Sequence, residues 1–395
     1  MAVSCGAAAT VVAAALVGCG GSEAPPPAGE ARQKLSAVQT VQAAQAGPGE
    51  RTETFYSEGG KLMRADENVA ALGNDLMGDR VNLYNGTLEF VHTDANLPGN
   101  SALPVAAGRR LVTGQPQRVA GHFGDWDLEV PRLHGVFSQS KGWSVGAGEA
   151  SASTARCTGF GPPPQVRGQS LQGTFNPEEY WHGSFLYLPG AGSQELLLPD
   201  TTPASVQPTG TALAAPKLTT KDRWLIYCGT PLKAGAGEGF TAVAPDGTRY
   251  RFDWMVARPY PQIEKAYGTP PQRPTGEDPS AYNATVLLKR QEVWILPTEV
   301  LDRFGNLVSY EWDAAIPWRL KKILSVDRTS GARRELSFEY DADAAEPAHH
   351  RVSRISDGSR EWRYGYADHA PYGKSLISVT VPGGGAWAMD MSQLG

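Results

Sequence analysis

Apolar and polar residues alternate with a period of two over much of this chain, and Gly, Asn, Asp and Pro interrupt the alternation at intervals. From Asp79 to Val112 it runs on both sides of Asn85-Gly86. An Asn-Gly pair between two such runs predicts a hairpin closed by a type I′ turn, which needs positive φ at both central residues. Leu97-Pro98-Gly99-Asn100 supplies a second turn. Between 120 and 240, runs such as "FGDWDLEVPRLHGVF", "YWHGSFLYLPG" and "DRWLIYC" read as short strands separated by Pro-rich loops. Residues 257–283, "ARPYPQIEKAYGTPPQRPTGEDPSAYN", read as a long Pro-rich insertion.

The second half carries a repeat. Turn glycines fall at Gly247, Gly305, Gly331, Gly358 and Gly384 or Gly385, the last four 26 or 27 residues apart, in "LDRFGNLVSYEWD", "VDRTSGARRELSFEYD", "ISDGSREWRYGYAD" and "VPGGGAWAMD". The first gap, 58 residues, approximates two periods plus the Pro-rich insertion. Each unit is a strand, a turn and a returning strand that ends on an aromatic and often an Asp. Trp318, Leu320, Ile323 and Leu324, then Val352 and Ile355, then Leu376, Ile377 and Val379 are expected to fill the intervening strands. A fixed period of hairpins predicts stacked units that bury one another's faces. The fold expected is all-β: repeated antiparallel hairpins forming a curved strip.

Before Asp79 the pattern is lost. Residues 19–75 are Ala/Gln/Gly/Glu-rich and read as a flexible tether, with a short helix around Lys34 to Ala46. Residues 1–18 hold an apolar run, Ala7 to Val17, too short to span a bilayer and suited to a signal-peptide core. Leu16-Val17-Gly18-Cys19 resembles the bacterial lipobox, although no Lys or Arg precedes Arg32. That resemblance implies a lipidated Cys19, a membrane partner through the anchor, and a cell-envelope location, with Gly20 pointing to outer-membrane sorting. An Ala-rich tail is the other reading. Of the four cysteines, Cys5 and Cys19 lie in this region. In an oxidising compartment Cys157 and Cys228 read as a disulfide, with two separate buried thiols as the alternative.

Among the 395 residues 41% are hydrophobic and 19% charged, so most of the chain is expected to fold. Abundant Gly (45), Pro (30) and aromatics favour short strands and many turns over long helices. The formal net charge of −5, with no run of five like charges, argues against a nucleic-acid partner.

At the repeat the sequence resembles the Rhs/YD-repeat family of large bacterial proteins. The residues that carry the resemblance are Gly305 with Tyr310-Glu311-Trp312-Asp313, Tyr340-Asp341, and Gly358 with Tyr364-Gly365-Tyr366-Ala367-Asp368. Trp312 and Ala367 depart from a strict Tyr-Asp pair. The likeness extends over roughly 79–395, with 76–240 as an N-terminal β region and 241–395 as degenerate repeats. It implies a strip of hairpins that closes as a partial or complete shell around a C-terminal toxin or effector. It also implies a self-cleaving core motif near the shell's end, which this sequence does not contain. The chain is therefore expected to be an N-terminal portion of such a protein, structural rather than enzymatic, with no cofactor.

Several polar clusters bear on chemistry. Glu178 and Glu179, beside Trp181 and His182, are adjacent, and neighbours on a strand face opposite ways, so they do not form the carboxylate pair of a glycosidase. His349 and His350 after Asp341, Asp343 and Glu346 lack metal-ligand spacing. "GAGEG" at 235–239 lacks the βαβ context of a dinucleotide site. His122, Asp125 and Asp127 around Trp126 form the best polar cluster, and a capping-rich turn accounts for them equally well. Trp181 and Trp312 are candidates for stacking on sugars, against the commoner role of cross-strand packing. A surface module binding carbohydrate or a neighbouring cell is thus the alternative function, with a hydrolase third.

Overall fold

The computed structural model describes residues 52–54, 79–81, 88–99, 101–113, 121–169, 173–199, 215–266, 285–327, 330–341, 351–368 and 374–389. The leader with Cys19, the Lys34–Ala46 helix, the Asn85-Gly86 turn, and Asp343, Glu346, His349 and His350 lie outside the described residues.

The N-terminal strands are β1 (Thr52–Thr54), β2 (Asp79–Val81), β3 (Leu88–Leu97), β4 (Val105–Val112), β5 (Asp127–Leu128), β6 (Arg132–Ser138), β7 (Val166–Arg167) and β8 (Thr174–Phe175). Next come β9 (Phe185–Leu188), β10 (Gly192–Glu195), β11 (Leu218–Thr219), β12 (Leu225–Pro231), β13 (Glu238–Val243), β14 (Arg249–Ala266) and β15 (Thr285–Leu301). The repeats supply β16 (Leu307–Trp312), β17 (Leu320–Val326), β18 (Arg333–Tyr340), β19 (Val352–Ser356), β20 (Glu361–Asp368), β21 (Lys374–Thr380) and β22 (Ala386–Ala388).

The fold is all-β. Strands β11 to β22 pair in sequence order as one antiparallel strip, joined at its side by β1, β6, β9 and β10. Sequential order follows from the short turns, since a tight turn can only join antiparallel neighbours. Gly247, Gly305, Gly331, Gly358 and Gly384 all have positive φ, the conformation for which the turns need glycine. Asp302, Asp327 and Asp357 close their turns by accepting backbone amides two to four residues on. The expected division at 240/241 falls inside β13, which pairs with β12 and β14.

Three expectations need correction. Thr52–Thr54, inside the supposed tether, pairs in parallel with Gln262–Glu264 of β14. Residues 257–266, read as the start of a loop, are the second half of β14, and β14 and β15 form one ribbon of 18 and 17 residues. The described part of the 58-residue gap is therefore one long antiparallel ribbon and not two repeat periods, while the rest of the Pro-rich insertion, 267–283, lies outside the described residues. Finally, Ile377 is exposed and Leu324 is only half-buried.

The cause of the last is a bulge that recurs in each repeat. Register shifts fall between Glu311 and Trp312, Glu339 and Tyr340, and Gly365 and Tyr366. Each leaves one extra residue on the partner strand: Lys321, Ser353 or Ile377. The extra residue turns the following side chains over, so Leu320/Ile323, Val352/Ile355 and Leu376/Val379 are buried at a spacing of three, not two.

The bulge also sets the true repeat register. Trp312-Asp313 is equivalent to Tyr340-Asp341 and Tyr366-Ala367, whereas Tyr310 matches Phe338 and Tyr364. The polar hydrogen of each aromatic goes to a backbone carbonyl of an earlier strand. Trp312 Nε1–H donates to Pro297 (2.8 Å), and the Tyr340 and Tyr366 hydroxyls donate to Leu320 (2.9 Å) and Val352 (2.6 Å). Tyr340→Phe and Tyr366→Phe should each lower stability by about 1 kcal/mol, the net worth of one such bond, measured by urea unfolding.

One face of the strip is core. Val308, Tyr310, Trp312, Leu336, Phe338, Trp362 and Tyr364 pack in one cluster with Leu97, Val105, Phe123, Trp126, Leu128 and Val130 of the N-terminal region. A second cluster lies between β6, β9 and β12–β15, beside the Cys157–Cys228 disulfide.

Candidate functional site

The best polar cluster read from the sequence, His122, Asp125 and Asp127, lies on Gly121–Leu128. This short segment is pinned by the bridges Gly121–Gly124 and Phe123–Trp126 and runs into β5. It lies against the inner face of the strip. The Val352 amide donates to the His122 carbonyl (2.7 Å), and the Leu376 amide to Asp125 Oδ1 (2.9 Å). Both amides belong to residues opposite the repeat aromatics. Phe123 packs on Tyr364 with ring centroids 4.8 Å apart. Gly124 has φ +73°, and a Cβ there would lie 2.4 Å from the Lys374 carbonyl oxygen. Gly124→Ala should therefore cost roughly 2 kcal/mol or more from strain and clash together, visible as a lower thermal midpoint.

Beneath the segment lies a buried ionic network. Arg258 Nη1 and Nη2 donate to the two oxygens of Asp127 (2.5 and 2.9 Å), and its Nε donates to Glu292 (2.8 Å). The guanidinium also lies over Trp294, 4.5 Å from the ring centroid. Arg132 is held between the rings of Tyr187 (3.9 Å) and Trp294 (4.3 Å). The Tyr187 hydroxyl donates to both oxygens of Glu129 (2.6 and 2.7 Å).

Burial tunes each group. It would lower the pKa of Arg258, but Asp127 and Glu292 more than reverse this and raise it. Arg132 is pushed down by burial. Burial raises Glu129 despite the Tyr187 bond and the nearby Arg110 and Arg132. His122 is driven from 6.5 to about 4 by burial, with Asp127 and the bond to the Trp318 carbonyl opposing. Both oxygens of Asp127 and of Glu129 already accept hydrogen bonds. The arrangement ties the segment, the ribbon and β15 together.

The other expected residues are placed as follows. Glu178 and Glu179 sit on a helical turn, Pro177–Tyr180, not on a strand. Glu179 pairs with Lys265 (2.6 Å), while Glu178 is exposed. Trp312, proposed for sugar stacking, is 7% exposed with its indole N–H bonded to backbone. Trp181 is half-buried against both smaller clusters. Trp312 therefore has no exposed ring face of the kind a sugar platform needs. The 235–239 loop is collared by Arg156, which donates to Ala236 and Glu238 carbonyls. Asp341 faces Arg351 (3.6 Å), and Asp313 accepts the amides of Ala315 and Ile316. Asp368 is exposed opposite Lys374.

Sequence reasoning passed over Arg258, Glu292, Arg132 and the repeat arginines. Arg319 lies over Tyr340 (5.1 Å) and Arg351 over Tyr366 (5.8 Å), so at two of the three joints a cation stacks on the next aromatic. The signal was a basic residue immediately before Leu320 and Val352.

No family model and no curated protein matches this chain. Among solved structures it is similar to TcdB2-TccC3, at 10% identity and a TM-score of 0.34, over 89% of this chain and 17% of that one. It is also similar to the N-terminal domain of the effector protein SpvB from Salmonella typhimurium strain LT2, at 10% identity and a TM-score of 0.28, over 76% of this chain and 100% of that one. The chain thus spans about a sixth of the TcdB2-TccC3 chain.

Proposed function

We propose that this chain is a non-enzymatic structural segment of an exported, lipid-anchored shell of the Rhs/YD-repeat type, which encases or presents a C-terminal effector. One observation carries the reading. The joint at Trp312, Tyr340 and Tyr366 is built three times over, with the same bulge, the same aromatic bond to an earlier carbonyl, and a cation stacked on Tyr340 and Tyr366. Such a joint transmits packing from one hairpin to the next, which is what a wall assembled from repeats requires.

Sequencing the natural reading frame through the codon for Gly395 tests this. Further in-frame hairpins 26 or 27 residues apart, followed by an unrelated C-terminal domain, are expected. An immediate stop followed by unrelated sequence would contradict the reading.

A further inference from the structure

Gly121–Leu128 is held in place by groups that acid would change. His122 is 3% exposed. Its Nε2–H donates to the Trp318 carbonyl (2.9 Å), and its ring stacks over Trp294 and meets Trp318 edge-on. Nδ1 is buried and has no hydrogen-bond partner among the described residues. A neutral imidazole can leave that nitrogen bare. A protonated one would put an unsatisfied donor there, which is costly in a dry interior.

The surrounding charges point the same way. Asp127, from the same segment, favours the cation, but it is already committed to Arg258. Arg258 from the ribbon and Arg132 from β6 both oppose a further positive charge. Glu292 from β15 is bound to Arg258, and on the strip side Arg351 faces Asp341 beside Val352. Asp125, from the same segment, takes the Leu376 amide.

We infer that Gly121–Leu128 is an acid-released latch: it grips Val352 and Leu376 while the His122 imidazole is neutral, and lets go when that ring takes a proton. The inference stands on this geometry and not on the scaffold reading. A histidine whose pKa is depressed in the closed state destabilises that state as pH falls. The grip is full above the ordinary value of 6.5 and is lost progressively as pH falls towards about 4. At pH 5 the ratio of open to closed is expected to be roughly 30-fold that at pH 7.5.

Hydrogen exchange on the full chain, corrected for intrinsic rates, reads this at single amides. Between pH 7.5 and 5, protection of the Val352 and Leu376 amides should fall roughly 30-fold, while Ile323 and Leu336 in the strip keep theirs. His122→Gln, which keeps an amide donor for the Trp318 carbonyl but does not titrate, should retain protection at pH 5. Unchanged protection in the wild type, equal loss in His122→Gln, or simultaneous loss across all strands would each overturn the latch. Because His122→Gln could fail to fold, the wild type carries a second readout. With labelled histidine, the NMR titration of His122 should share its midpoint with the loss of protection. A His122 that stays neutral while the amides open would also overturn it.

Discussion

Replacing Arg258 with methionine is expected to destabilise the protein by roughly 3–5 kcal/mol, the usual cost of breaking a buried ion pair from one side. The guanidinium is 3% exposed and serves Asp127 and Glu292 together. Its loss takes from Asp127 and Glu292 the guanidinium that serves them both, and desolvation of the buried carboxylates then works against the fold. Replacing the set together, as Arg258→Met with Asp127→Leu and Glu292→Met, should recover most of the loss, since a buried pair rarely outperforms well-packed apolar groups. Urea unfolding of the single and triple variants separates these outcomes. A single variant within about 1 kcal/mol of wild type would mean that the network does not hold the segment to the ribbon.

The second large effect is expected at the disulfide. Cys157 and Cys228 are 71 residues apart in the chain, so the bridge closes a long loop. On the chain-entropy account, removing it should cost roughly 4 kcal/mol by releasing that loop in the unfolded state. The loop is independently anchored, because Arg156 donates to Trp143, Ala236 and Glu238 carbonyls, and Glu238 accepts the Cys157 and Thr158 amides. The folded state should therefore survive in Cys157→Ser/Cys228→Ser, with a lower urea midpoint and an unchanged strand content by circular dichroism. Coincident unfolding curves for oxidised wild type and the double variant would contradict this.

The hairpins were legible in the sequence because their signals are local. An Asp, a glycine able to adopt positive φ, and alternating flanks lie within a dozen residues of one another. What failed was strict alternation. The bulges opposite Trp312, Tyr340 and Tyr366 insert one residue, so Ile377, apolar and at a plausible inward position, turns outward. Proline misled the reading of 257–266. Pro259 and Pro261 lie in β14 between its bridge to Ala234 at Trp254 and its pairing with β1 at Gln262, next to a register shift with β15. A missing amide is least harmful at such a place.

The ionic network was illegible for a different reason. Arg258 meets Asp127 across 131 residues and Glu292 across 34, and no local pattern encodes such pairings. Trp312 read as a candidate sugar contact because an aromatic on a strand looks the same from the sequence whether its ring meets solvent or a neighbouring sheet.

The inner face of the repeat strip is completed by the N-terminal region through Phe123, Trp126, Leu128 and their neighbours, so the strip is expected not to fold alone. The test is to compare thermal unfolding of residues 215–395, which hold the whole strip β11–β22, with that of 79–395. The short piece is expected to show no cooperative transition and to expose apolar surface that binds a hydrophobic dye, while the longer piece unfolds cooperatively. A piece of 215–395 that melts cooperatively at the same temperature as 79–395 would show that the strip stands without the N-terminal region.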